Sequence, residues 1–199
     1  MKTRLPWSVL LALVAGLMTG CQSRPAAVPT AGNPSLRNNC YSLLHQLLND
    51  EKGVGLLRFI KSEAPDVKEL VKRIATTCGT GAKLLEKLAQ DDPSLHLDDI
   101  SLPPGELATR AAIAATKQKE LLGQSGETFE LTLLLTQTEA LSYGWHLAEV
   151  ASLNERNPEQ ARALAGIGVD LHQLNDEVFA LLRSRAFTGT TNTVSAPPP

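Results

Sequence analysis

No stretch of this chain holds the ~20 consecutive apolar residues that a membrane-spanning helix needs. No stretch sustains period-two alternation, so no sheet is expected. Basic residues are not in excess: 19 stand against 21 acidic ones. That balance argues against nucleic acid and anionic lipid headgroups as electrostatic partners. Glu-x-x-His is missing, because the residues three before His45, His96, His146 and His172 are Ser42, Pro93, Tyr143 and Val169. Cysteine is scarce, with only Cys21, Cys40 and Cys78.

What is present begins at the amino terminus. Lys2 and Arg4 precede a mostly apolar run, Leu5 to Leu17, followed by Met18-Thr19-Gly20-Cys21. That is the layout of a secretory signal. As a helix the run reaches roughly 20 Å, short of a hydrocarbon core of ~30 Å. Gly20-Cys21 resembles the lipobox of bacterial lipoproteins, with Met18 where Leu is usual. The resemblance implies cleavage after Gly20, a diacylglyceryl group (with palmitate-type chains) on the Cys21 sulfur, and acylation of the new amine. Several chains at ~0.8 kcal/mol per buried methylene hold a protein on a bilayer where one chain does not. Gln22, in place of the Asp common in inner-membrane lipoproteins, favours the outer membrane of a Gram-negative cell. Removing Lys2 and Arg4 from the 19 basic residues leaves 17 against 21 acidic, a net charge near −4. The expected organisation is a signal peptide over residues 1–20, a lipidated Cys21 and disordered tether to residue 34, one domain over 35–185, and a disordered Thr- and Pro-rich tail over 186–199.

The domain reads as all-α. Val67, Leu70, Val71, Ile74, Cys78, Ala82, Leu85 and Leu88 form one apolar stripe at steps of three and four, with charges off it. Pro65 suits a first helical turn and Asp66 its positive end. Asn157-Pro158-Glu159-Gln160 places a capping residue, an N1 proline and an N3 Gln before a second stripe from Leu164 to Leu182. Leu36 to Ser62 and Glu127 to Glu155 carry two more, the first weakened at Gly53 and Gly55, where a break is the competing reading. A shorter helix is expected over Gly105 to Leu122. Four long helices in two tight hairpins, joined by one crossover with a short helix, make a four-helix bundle of ferritin-like topology.

Particular residues carry a resemblance. Glu51 with Gly55, the stripe through Cys78 to Ala89, Leu102-Pro103, and Ser125-Gly126-Glu127-Thr128-Phe129-Glu130 are similar to motifs of a family of periplasmic ferritin-like bundle proteins of unknown function. In that family a Leu-Pro precedes the crossover helix and Ser-Gly-x-x-Phe-(Asp/Glu) opens the next long one. The resemblance spans roughly residues 40 to 183. Where the family commonly has a His this chain has Cys78, and a second family His, near Gln137 to Glu139, is missing. Metal chemistry is therefore not carried over.

The candidate sites have plain readings. A carboxylate-bridged metal pair needs a Glu from each of two helices and Glu-x-x-His from two others. Glu51, Glu139 and the His172/Asp176 pair do not meet that need, so no catalytic residue, metal or cofactor is expected, and these groups should face outward or pair with neighbours. Gln137 is expected to bond to a neighbouring helix. Gly79-Thr80-Gly81-Ala82-Lys83 lacks the Gly-Lys-(Ser/Thr) ending of a phosphate loop, so its glycines read as a close helix approach or a kink. Asp91, Asp92, Asp98 and Asp99 read as a solvated acidic loop. An oxidising compartment makes a Cys40–Cys78 disulfide the first expectation. Geometry opposes it: in a straight hairpin turning at Ala64 the two are about ten residues, or ~15 Å, out of register. Two buried free thiols are favoured. The expected role is a non-catalytic envelope lipoprotein, facing the periplasm, anchored to the membrane through Cys21 and structural or binding in function, with an envelope protein as partner. The alternatives are a degenerate ferritin-like metal or redox protein, and a sensor-like bundle taking a small ligand between helices.

Overall fold

The computed structural model describes residues 34–55 and 63–188. The expected signal peptide, Cys21, most of the tether, residues 56–62 with Leu57, and the tail beyond 188 lie outside the described residues. Five helices account for 86% of what is described, and no strand occurs among these residues. They are α1 (Pro34–Val54), α2 (Pro65–Asp91), α3 (Pro104–Gly123), α4 (Gly126–Asn154) and α5 (Pro158–Thr188). None is long and apolar enough to cross a membrane.

The local chemistry sets most boundaries. Proline opens α2 and α3, where its missing N–H costs nothing. The Asn157 side chain accepts the Glu159 N–H at 2.9 Å and starts α5. Gln160 does not complete a capping box; its Oε1 instead accepts from Arg37 at 3.2 Å. At α4, Gly126 adopts φ +59, a conformation that disfavours any side chain. Two expected bounds are corrected. Helix α1 ends at Val54, with Gly55 in a turn, and does not run unbroken to Ser62. A Cβ on Gly55 would fall 2.9 Å from the Ala75 Cβ, so glycine permits close approach to α2 there. The crossover helix α3 is the shorter helix expected over Gly105 to Leu122, within one residue at each end. Helix α5 runs to Thr188, beyond the expected end at 185.

Helix α1 packs on α2 and α4, and α5 packs on the same two; α3 packs on α4. Contacts between named residues fix the directions. Along α1 and α2, Leu48 meets Gly81 and Gly55 meets Ala75. Along α1 and α4, Arg37 meets Glu155, Leu47 meets Gly144 and Glu51 meets Gln137. Along α2 and α5, Asp66 meets Arg185 and Arg73 meets Glu177. Along α4 and α5, Ser152 meets Ala161 and Ala148 meets Gly168. In every pair one number rises as the other falls, so each of these neighbours is antiparallel.

The stripes read from the sequence form the core. Ile74, Leu171 and Val178 are fully buried and Leu70 nearly so. Gly81 is a point of close approach within an unbroken helix: its Cβ would stand 3.1 Å from Leu48 Cδ1. Gly144 is tighter, since a Cβ there would meet Leu47 at 2.8 Å and Leu171 at 3.0 Å. Truncating Ile74 or Leu171 to Ala is expected to cost about 2–5 kcal/mol, because neighbours fixed on rigid helices cannot close the cavity. Gly144→Ala is expected to cost about 1–3 kcal/mol by overpacking. Urea unfolding followed by Trp145 fluorescence measures both; a neutral Gly144→Ala would show that Leu47 and Leu171 yield freely.

Candidate functional site

Three glutamates tie helices together inside or at the ends of the bundle, where an unpaired charge costs several kcal/mol. The first is Glu155, at the turn between α4 and α5, with its side chain 2% exposed. It accepts from Arg37 Nε at 2.8 Å, from the Tyr41 hydroxyl at 2.7 Å, and from the N–H groups of Arg156 and Asn157 at 2.7 and 2.9 Å. Burial raises its pKa, but the Asn157 N–H, Arg37 and Tyr41 together outweigh burial and hold it below the ordinary value. Arg37 also donates to Asp92 at 2.8 Å, so one guanidinium ties α1, the end of α2 and the α4–α5 turn. A cleft of about 490 Å³ opens beside this knot, lined by Pro34, Arg37, Asp92 and Glu155 among others.

At the opposite end Glu130 accepts from the Ala64 N–H, just before α2, and from Arg185 on α5. Arg185 donates in turn to Asp66 at 2.7 Å. The Ser-Gly-x-x-Phe-Glu motif now has a physical account. Gly126 takes a backbone conformation that other residues avoid, Phe129 is fully buried, and Glu130 closes the end of the bundle.

The third carboxylate, Glu51, sits midway along α2 and α4. Gln137 Nε2 donates to its Oε2 at 2.8 Å, a bond between neighbouring helices as expected. Nothing among the described residues bonds to Glu51 Oε1, and Gln137 Oε1 is buried without a partner. Burial pushes the Glu51 carboxyl up to about 7; Asp50 adds to the rise, while Gln137 and Lys117 oppose it. Cys78 on α2 completes the neighbourhood, its thiol pushed up to about 12 by burial and by the charge of Glu51.

Glu51, Cys78 and Gln137 thus bring a carboxyl, a thiol and an amide to this level, and this donor set does not fit a carboxylate-bridged metal pair. No group of three or more His, Cys, Asp or Glu able to hold a metal occurs among the described residues. Glu139 faces outward and pairs with Lys117 on α3. His172 and Asp176 form an exposed pair at 3.9 Å. His172 also stacks against Trp145, at 3.5 Å between ring centroids. Of the acidic crossover residues, Asp91, Asp98 and Asp99 are exposed, while Asp92 serves Arg37 and Ser94. Cys40 and Cys78 are both buried and free. In the observed register Cys40 stands opposite residue 90 or so, about 18 Å along the axis from Cys78, too far for a disulfide. Burial raises the Cys40 thiol to about 11, so neither thiol ionises near neutrality.

Sequence reading missed Arg37, Tyr41 and Glu155, and held Glu130 only as the end of a motif without a role. Their partners lie far along the chain, and nothing local marks them. Only the run of a buried-side Arg37 and Tyr41 at helical spacing, on a stripe otherwise apolar, was there to be noticed.

Two outcomes follow from these carboxylates. The Glu51 pKa is higher folded than unfolded, so its contribution to stability is full below about pH 4.5 and is lost as pH rises through about 7. Glu51→Gln, which keeps the hydrogen-bond acceptor, is expected to gain about 2 kcal/mol relative to the parent between pH 5 and pH 8. Urea titrations of both proteins across that range read it directly, and parallel curves would mean that Glu51 is ordinary. Arg37→Ala strands Glu155 and is expected to cost about 3 kcal/mol at pH 7, a loss that thermal unfolding should reveal as shrinking in acid, where Glu155 is protonated. No protein-family model, no curated protein and no solved structure matches the chain, so the reading of this site rests on its own geometry.

Proposed function

We propose that this protein is a lipid-anchored envelope lipoprotein whose periplasm-facing helical bundle is non-catalytic and serves a structural or binding role. The observation that carries the reading is the central level, where Glu51 meets Gln137 and Cys78 in place of bridging carboxylates and imidazoles. A neutral amide donor on a protonatable carboxyl holds helices together without activating a nucleophile or a metal. The helix directions support a four-helix bundle of ferritin-like topology: two antiparallel hairpins, α1–α2 and α4–α5, joined by a crossover that holds α3. The lipobox at Cys21 supplies the address, Gln22 favours the outer membrane, and the acidic balance disfavours nucleic acid as a partner, leaving an envelope protein as the partner we propose.

Two measurements test the parts separately. Cys21→Ser is expected to abolish labelling by radioactive palmitate and to release the protein from the membrane fraction; membrane retention with normal processing refutes the anchor. Elemental analysis of the purified chain is expected to find substoichiometric iron, manganese and zinc. Near two irons per chain, lost on Glu51→Ala, would replace the non-catalytic reading with a redox one.

A further inference from the structure

Glu51 has an unspent face. It lines a pocket of about 280 Å³ between α1, α3 and α4, together with Arg110, Lys117, Thr136, Glu139 and Tyr143. The residue is 9% exposed, and its Oε1 takes no hydrogen bond among the described residues. The other polar groups of the pocket are already engaged. Lys117 is held by Glu139 and Arg110 by Glu106 at 2.7 Å, with the guanidinium 4.9 Å above the Tyr143 ring. The Thr136 hydroxyl donates to the Thr132 carbonyl at 2.9 Å. Among the described residues Glu51 Oε1 is an acceptor that no group fills, and what fills it must donate.

The charges agree. Facing Glu51 are Asp50 from its own helix, Lys117 and Arg110 from α3, Glu139 and Tyr143 from α4, and the un-ionised Cys78 from α2. With Glu106 included, four carboxyls surround two cations, which leaves room for a further positive charge and none for an anion. The pocket wall is also unusual. Helix α3 buries only Leu121, so it is held to the bundle chiefly by the two cationic side chains that border the pocket. A group entering there need displace little packed surface.

We infer that the pocket between α1, α3 and α4 binds a small organic cation of the primary-amine class, its ammonium donating to Glu51 Oε1 and its stem lying along Ala140 and the Tyr143 ring. The ammonium fills the vacant acceptor, and Ala140 and the Tyr143 ring give the stem an apolar wall. Binding needs the ionised carboxylate, so a protonated Glu51 must release its proton to solvent as the amine enters. The affinity therefore rises with pH to a plateau above about 7, the value to which burial pushes Glu51. This inference deepens the binding role proposed above and rests on it; neither the lipid-labelling nor the metal test bears on amine binding, so the two can fail separately.

The test is a titration of the full chain in detergent with n-propylammonium chloride, followed by amide chemical shifts. The expected result is saturable shifts confined to the neighbourhoods of Glu51, Arg110 to Lys117 and Thr136 to Tyr143, with Kd near 1 mM for so small a ligand. Binding is expected to be about tenfold weaker at pH 6 than at pH 8. Glu51→Gln is expected to abolish the shifts while remaining folded by circular dichroism. Lys117→Ala, which removes the internal ammonium, is expected to tighten binding. Sodium propionate saturating in place of the amine, equal binding by Glu51→Gln, weaker binding in Lys117→Ala, or no saturation at ~0.1 M amine would each overturn the proposal.

Discussion

A carboxylate inside a helical bundle must take its hydrogen bonds from other helices, since its own helix has already spent its backbone N–H groups. Three glutamates impose that constraint at three heights here. Glu155 gathers α1 and the first N–H groups after α4, and Arg37 carries the tie on to the end of α2. Glu130 gathers α5 and the residue before α2. Glu51 reaches α4 through Gln137. The apolar stripes hold the helices together but tolerate sliding and rotation. The glutamates do not, because a shift of one turn would leave a charge unpaired in a dry interior.

That division of labour decides what the sequence could reveal. A stripe such as Val67 to Leu88 is written in local spacing, and so is the Asn157 cap, and both stand where the pattern put them. The α4–α5 hairpin turns within the three residues 155–157, whereas ten residues, 55–64, separate α1 from α2, so the antiparallel direction expected there holds without the tight turn expected at Ala64-Pro65. The ties were not legible, because a bond between Arg37 and Glu155 joins residues 118 apart and leaves no periodic trace. The early end of α1 was half legible. Gly53 and Gly55 marked a weakness, but the deciding fact is that Gly55 lies against Ala75, which only the packed hairpin creates. The extent of α3 was legible within one residue at each end, because its alanines favour helix throughout although it buries almost nothing.

The candidate site was legible in an inverted form. Residues that could not build a metal pair were identified at Glu51, Cys78 and Gln137, and these are the groups that meet at the centre. What spacing could not supply was the quality of the contact. A guanidinium would have neutralised Glu51, as Arg37 and Arg185 do at the ends. Gln137 offers one neutral N–H, too little to offset burial, and so the central carboxyl is raised toward neutrality, while Glu155 beside Arg37 is held low.

The choice of partner therefore separates two kinds of buried acid. Glu155, with four donors, has nothing left to give and serves stability. Glu51 keeps an oxygen that no described residue bonds beneath a lightly held helix, at a cost of about 3 kcal/mol when ionised. Selection for stability alone would replace it by Gln or Leu, since a neutral or apolar side chain of similar size removes that cost. A residue that destabilises the bundle, faces a pocket and titrates near neutrality is better explained by what it meets there than by what it holds together.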